Sequence, residues 1–437
     1  MKSSLLYGFG GASKMNQAPR GNLMTMRASL NDTNNETADE IIDVEVEDSS
    51  AEAKVEEKKP VFKPVYAYFV LALVLVCRIM VQWHRQSLQY AYGYTGIGLL
   101  ANNPIYEIGT AYPEMAAWFG LLTGLIYGLP YAGFGLVAGQ ISDKVNRKLF
   151  LGIVVIMASL CMGATGFSSS FGVLVVMRVL HGMLNAASNP LSFSLITDYF
   201  PKEKRATANS LIQAGNYVGV GFSSLTILLI TKFGWRISFG IMAVIGSAFG
   251  AATMAFVGEP ERGRYLDEET KKKELEKKEA EAKAALENKE SGIASFFKNL
   301  AVVFKLPTAK NVLIASSMRN FGGIIIAAYL PVFFGKNFPT FKAEYALLNA
   351  IGVSCCGLIA SLSGGILADK FESKSYMTKA IICMVGCALS FPLVALGTLQ
   401  TSNFYLALGC YALKVLVSGT YSGPAITMIQ NTSPLSQ

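Results

Sequence analysis

Apolar residues run along most of this chain in long blocks, without the strict alternation of a half-buried strand and without the narrow stripe of a soluble helix. A helix that crosses a bilayer needs about 20 mostly apolar residues. Ten such blocks fall near residues 65–94, 115–137, 149–167, 171–196, 208–230, 237–257, 312–334, 345–367, 380–399 and 404–429. They predict an all-α polytopic membrane protein. Two polar tracts interrupt them and divide the chain into a disordered cytoplasmic tail (1–60), a six-segment half (61–258), a charged cytoplasmic linker (259–310) and a second part with four segments (311–437).

The tail is acid-free up to Leu30, with Lys2, Lys14, Arg20 and Arg27, and acidic from Asp32 to Glu57. Its opening is similar to an organelle transit peptide, with a plain cytosolic tail as the other reading. The linker core DEETKKKELEKKEAEAKAALENKE mixes both charges at helical spacing and has almost no apolar face, which predicts a solvated helix joining two halves and argues against nucleic acid as a partner.

Composition agrees with the pattern: 437 residues, 52% hydrophobic and 11% aromatic, with 41 glycines, are too apolar for a soluble enzyme. The net charge of +8 mostly reports loop anchors. Lys144, Arg147, Lys148, Lys202, Lys204, Arg205 and the linker fall on one side, which should face the cytoplasm. All seven cysteines lie inside apolar segments, so they read as packing residues, with no disulfide framework and no metal site. Nothing in the sequence calls for a cofactor or a catalytic residue, and no Walker loop is present for ATP hydrolysis.

A repeat organises the segments. Gly139-x3-Asp143 in GQISDKVNRK returns as Gly365-x3-Asp369 in GGILADKFESK, and Arg178-x11-Pro190 returns as Lys414-x9-Pro424. Two homologous membrane halves of this kind form a path between them. The first half has two segments after Pro201, so a second half of the same plan needs two after Pro434. About ten transmembrane helices are expected in this sequence where the plan calls for twelve, so that either the last two are missing or the protein is a ten-helix variant.

These residues resemble the major facilitator superfamily of secondary transporters. The resemblance rests on the 139–148 loop, on Arg178-x3-Gly182, on the loop DYFPKEKRATA (198–208) and on Phe233-Gly234-Trp235-Arg236. It implies two pseudo-symmetric helical halves that rock about a central cavity. It also implies a conformational gate built from Gly139, Asp143, Arg147, Lys148, Gly365 and Asp369, in which the loop aspartate caps an eleventh helix. An ordinary helix cap with positive-inside anchors is the alternative for these residues. Gly215, Gly219 and Gly221 are similar to the family's close-packing fifth helix, without the proline of its antiporters.

Charges within a bilayer normally face a cavity or a partner. The first segment places Arg78, Gln82, Arg85 and Gln89 on one face, and the fourth does the same with Arg178, His181, Asn185, Asn189 and Ser192. The seventh brings Arg319 and the tenth Lys414. No Asp or Glu falls in the middle of any segment. The candidate substrate site is therefore Arg85 and Arg319 as anchors, with Arg78, Arg178, His181, Asn185 and Lys414 lining it. Counted from Asp143 and Asp369, Arg85 and Arg319 are approximate repeat mates, able to clamp one anion between two guanidinium forks. The alternative has Arg178 and Lys414 on backbone carbonyls and Arg85 snorkelling to an interface.

Trp83-His84-Arg85 is similar to the spinster branch and the paired arginines to organophosphate antiporters, although the acidic residues that the spinster branch has before this arginine and at Asn185 are missing here. His84 and His181 are a candidate proton switch; their arginine neighbours oppose a further positive charge, and a constitutively neutral pair is the alternative. The expected function is secondary transport of a small organic anion, including a phosphate ester, through a multi-pass protein of the plasma or an endomembrane, or of an organelle inner membrane if the tail is a transit peptide. Its partners are the anionic substrate, the lipid bilayer and a coupling ion or counter-anion. A lysolipid carrier is the alternative within transport, and a non-transporting receptor or scaffold the alternative outside it.

Overall fold

Where water is excluded, every backbone N–H and C=O must be paired within its own segment, and the apolar blocks accordingly form helices. The structure, a computed structural model, describes residues 64–94, 103–142, 145–262, 264, 307–372, 377–421, 424, 425 and 428. The tail, most of the linker and Asp143 lie outside the described residues. The helices are α1 (Pro64–Gly93), α2 (Ile108–Ala111), α3 (Met115–Thr123), α4 (Leu125–Ser142), α5 (Arg147–Gly166), α6 (Phe171–Thr197), α7 (Lys202–Phe222), α8 (Thr226–Phe256), α9 (Pro307–Asn337), α10 (Lys342–Glu372), α11 (Thr378–Leu399) and α12 (Phe404–Gly419). Side-chain caps mark three starts: Asn146, Ser170 and Asn403 each accept from a backbone N–H three residues on.

Among the described residues eight helical runs are long and apolar enough to cross a membrane, and α12 is a shorter apolar helix. Two details depart from the simple block pattern. The second block is broken at Gly124, whose backbone leaves the helical region and separates α3 from α4. The fifth and sixth blocks join into one run, Thr207–Phe256, of 50 residues. At 1.5 Å per residue that is about 75 Å, more than twice the hydrocarbon thickness. It folds back at Gly234, where φ is 76°. A side chain there would be strained and would also meet the Ile105 carbonyl oxygen at 2.6 Å. Trp235 locks the reversal, donating through its backbone N–H to Ile105 and through its indole to Pro104. Ala208 and Val257, at the two ends of this hairpin, share one core.

That core lies at the end bearing Arg147 and Asp198 and is built from α1, α4–α7 and Val257. Small residues let α5 and α8 approach closely: a methyl on Gly152 would meet the Gly250 carbonyl oxygen at 2.9 Å, and one on Gly163 the Ala243 side chain at 2.9 Å. At the opposite end a different core joins Tyr90, Tyr94 and Ile227 to Phe334, Phe338, Tyr345, Phe404 and Leu408. At this core Ser224 donates to the Ala346 carbonyl, and farther along α7 Tyr217 packs where any side chain on Gly357 would sit. The helices α1–α8 and α9–α12 thus converge on an aromatic plug, whereas the core at the Arg147 end contains only the first set among the described residues.

Candidate functional site

The site is assembled from polar side chains that the one-face spacing of α1 and α6 brings against α4. Arg85 lays its guanidinium over two tyrosine rings of α4, 5.0 Å from the Tyr127 centroid and 5.8 Å from that of Tyr131. It has no hydrogen-bond or ion-pair partner among the described residues. The tyrosines are held from behind: Asn185 bonds the Tyr127 hydroxyl, and Asn189 donates to that of Tyr131 at 2.9 Å. Tyr127 and Tyr131 were not singled out in the sequence. Their spacing of four mirrors that of Asn185 and Asn189, and this matched i, i+4 pattern was the signal that could have found them.

The other basic residues of this half are engaged. Arg178 is buried, donates to the carbonyls of Leu122 (3.3 Å) and Arg85 (2.9 Å), and stacks on Tyr127 at 4.7 Å. Arg78 is fully buried and ties three helices together through Ser188 (2.8 Å) and Asn216 (2.5 Å), to which Gln82 also donates. His84 and His181 are buried with ring centroids 6.3 Å apart.

In the second set, Arg319 sits 4.2 Å over the Tyr421 ring and donates to the Ser418 carbonyl. Lys414 lies 5.7 Å over Tyr411 and has no hydrogen-bond partner among the described residues. Depth follows from helix rise, measured from the plugged end. Arg85 is about 12 Å below Gly93 and Lys414 about 15 Å below Phe404. Arg319 is about 24 Å below Gly335, level with Arg78 at about 22 Å rather than with Arg85. Counting back from the repeated aspartates misaligned the arginines because the α1–α3 connection is much longer than the one between α9 and α10.

No carboxylate lies in the middle of a crossing among the described residues; Glu107, Glu114, Asp198, Glu259 and Glu344 all stand at helix ends. Two of them take Arg147, which is 2% exposed and donates to Asp198 (2.5 Å), Glu259 (2.8 Å) and the carbonyls of Ser194 and Pro260. Lys148 adds its backbone N–H to Glu259. Next to this network Tyr199, its phenol pushed up by burial, donates to the Gly258 carbonyl. The network binds α5 to the end of α6 and the start of the linker, all within the first set. Gly139 and Gly365 lie in α4 and α10; the side chain of Asp369 is outside what the structure describes, as is Asp143. Among the described residues no cluster of His, Cys, Asp and Glu could hold a metal.

A family model described as Major Facilitator Superfamily matches residues 65–437. The chain belongs to the major facilitator superfamily. As a member with this set of apolar helices it is an integral multi-pass membrane protein. It is similar to a hexuronate transporter of Bacillus subtilis, 27% identical over 140 residues that make up 31% of this chain and 33% of that one. A probable galactarate/D-glucarate transporter of the same organism is 24% identical over 333 residues, covering 70% and 69%. The chain spans between a third and two thirds of the length of the first curated relatives it matches. Among solved structures, a bacterial homologue of the lysosomal transporter Spinster, inward-facing and unoccupied, aligns with a TM-score of 0.64 at 19% identity, over 84% of this chain and 76% of that one. That likeness shows the fold.

Proposed function

We propose that this superfamily member is a secondary transporter that moves a small organic anion by alternating access, with Arg85 as the primary anion anchor. The observation that carries the reading is the Arg85 guanidinium, held on two tyrosine rings without a hydrogen-bond or ion-pair partner among the described residues. A cation in a low-dielectric interior normally has a partner, and a substrate carboxylate would complete the fork. Lys414, at similar depth on the other set, faces the same path; Arg319 stands nearer the open end, where it draws anions toward the anchor. Arg178, Asn185 and Asn189 hold Arg85 and its tyrosines in place, and Arg78 ties the helices around them. Relatives named for hexuronate and for galactarate/D-glucarate favour a sugar acid.

The reading is tested by thermal stabilisation of the detergent-purified protein with hexuronates, aldarates, phosphate esters, neutral sugars, organic cations and lysolipids, followed by uptake of the best ligand into proteoliposomes. Sugar acids should stabilise the wild type, and Arg85→Ala should weaken binding by about 10- to 100-fold, the worth of a hydrogen-bonded charged group. Stabilisation by neutral or cationic compounds that survives Arg85→Ala would defeat the assignment. Binding without flux would point to a receptor.

A further inference from the structure

The interior of the first set contains a second polar feature that anion binding leaves unused. The chain has two histidines, and the fold brings both to one place behind Tyr127. His84 and His181 are 1% and 3% exposed, with ring centroids 6.3 Å apart. His84 Nε2 lies 3.2 Å from the Met242 carbonyl oxygen. A carbonyl only accepts, so Nε2 carries the hydrogen and Nδ1 keeps a lone pair. That Nδ1 and His181 Nε2 are both buried without a hydrogen-bond partner. Buried polar atoms in a native structure are almost always satisfied, so two orphan nitrogens on neighbouring imidazoles mark a place for something they can bind.

The surroundings define what that is. The His181 ring is 5.8 Å from the Tyr127 ring, whose face carries Arg85 and Arg178. The charges that act on His181 are those of Arg178 and Arg85, with His84 as its titratable neighbour. On the same helix as His84, Arg78 lies two turns away. The faces of α5 and α8 offer Ser159, Met242 and Phe239, which do not titrate. No described carboxylate competes for a proton in this interior.

We propose that His84 and His181 are the proton site of the transporter, so that one proton is taken up with each anion seated on Arg85; this rests on the organic-anion reading above. A proton from water adds to the lone pair of one of the two neighbouring imidazoles and leaves when the anion leaves. The coupling is electrostatic. In the empty site the arginines add to the opposition that burial already sets against a positive charge here, and a carboxylate on Arg85 removes their share. Anion and proton therefore favour each other's binding by the same factor, as linkage requires. Tyr127 is the physical connection, its ring in contact with both arginines and beside His181.

The test is calorimetric titration of the full chain with potassium galacturonate and potassium galactarate, in buffers of differing ionisation enthalpy, from mildly acidic to mildly alkaline pH. About one proton should be taken up per anion bound, and affinity should weaken with rising pH by up to about tenfold per unit. His181→Gln should bring proton uptake close to zero and flatten the pH dependence; His84→Gln should move both in the same direction. With two histidines in the chain, isotope-labelled imidazole spectra of the wild type give a readout that needs no variant: adding the anion should shift a ring to the protonated form. Binding with no proton uptake, or uptake that persists in both variants, would overturn the proposal. If neither anion binds in an Arg85-dependent way, the anion reading fails first and takes this one with it.

Discussion

Five arginines of this chain illustrate how one residue type is used for different ends. Arg147, Arg178 and Arg78 spend their donors on protein: carboxylates, carbonyls and amide or hydroxyl oxygens respectively. Arg85 and Arg319 sit on tyrosine rings with donors left over. The sequence makes Arg85 and Arg319 anchors, Arg78 and Arg178 lining residues and Arg147 part of a gate, but helix spacing tells only which face a side chain is on and not what meets it there. The difference has measurable consequences. Arg147→Ala would remove the buried ion-pair partner of two carboxylates and should cost about 3–5 kcal/mol in reversible unfolding. Arg85→Ala removes a cation–π contact and should cost about 1 kcal/mol or less while weakening anion binding by about 10- to 100-fold. Equal losses of stability for the two would show that Arg85 is a structural residue.

At the scale of elements, length and apolarity made ten crossings legible, including the fold-back of the 50-residue run, since the polar gap between residues 230 and 237 brackets Gly234. The break at Gly124 was not legible, because glycine inside an apolar block has no signature that separates a kink from close packing. Gly234 needs its left-handed backbone and the space beside Ile105 at once. Gly234→Ala should therefore destabilise the protein by about 1–2 kcal/mol from backbone strain alone, with further loss from the clash, as read by its thermal midpoint in detergent. A neutral result would mean that the hairpin can turn elsewhere.

For the molecule as a whole, the two sets of helices touch through Tyr90, Tyr94, Phe334 and Tyr345, with ring pairs such as Phe334–Tyr345 at 4.6 Å and Tyr94–Tyr345 at 5.4 Å. If alternating access operates, this plug must part in each cycle. Cysteines placed by Tyr94→Cys and Tyr345→Cys, joined by a short bifunctional thiol reagent, should stop uptake into proteoliposomes, and a cleavable reagent should restore it on reduction. Undiminished uptake after complete cross-linking would rule out opening at this end. The sets also differ in cover: the most apolar window of α1 is 56% buried and that of α9 6%, with 61% for α5 and 17% for α11. In the first set α7 and α8 supply that cover.

By itself, the sequence determined the class of protein, its crossings and the repeat that relates them. Those properties follow from the cost of unpaired backbone and exposed charge in hydrocarbon, which act locally along the chain. Only the tertiary structure decided which cations are engaged and which are left for a ligand, that Arg319 lies level with Arg78 rather than Arg85, and that two histidines 97 positions apart share one buried site. These depend on helix depth and on which faces meet. Both are set by packing between elements and by connection length, which no local pattern records.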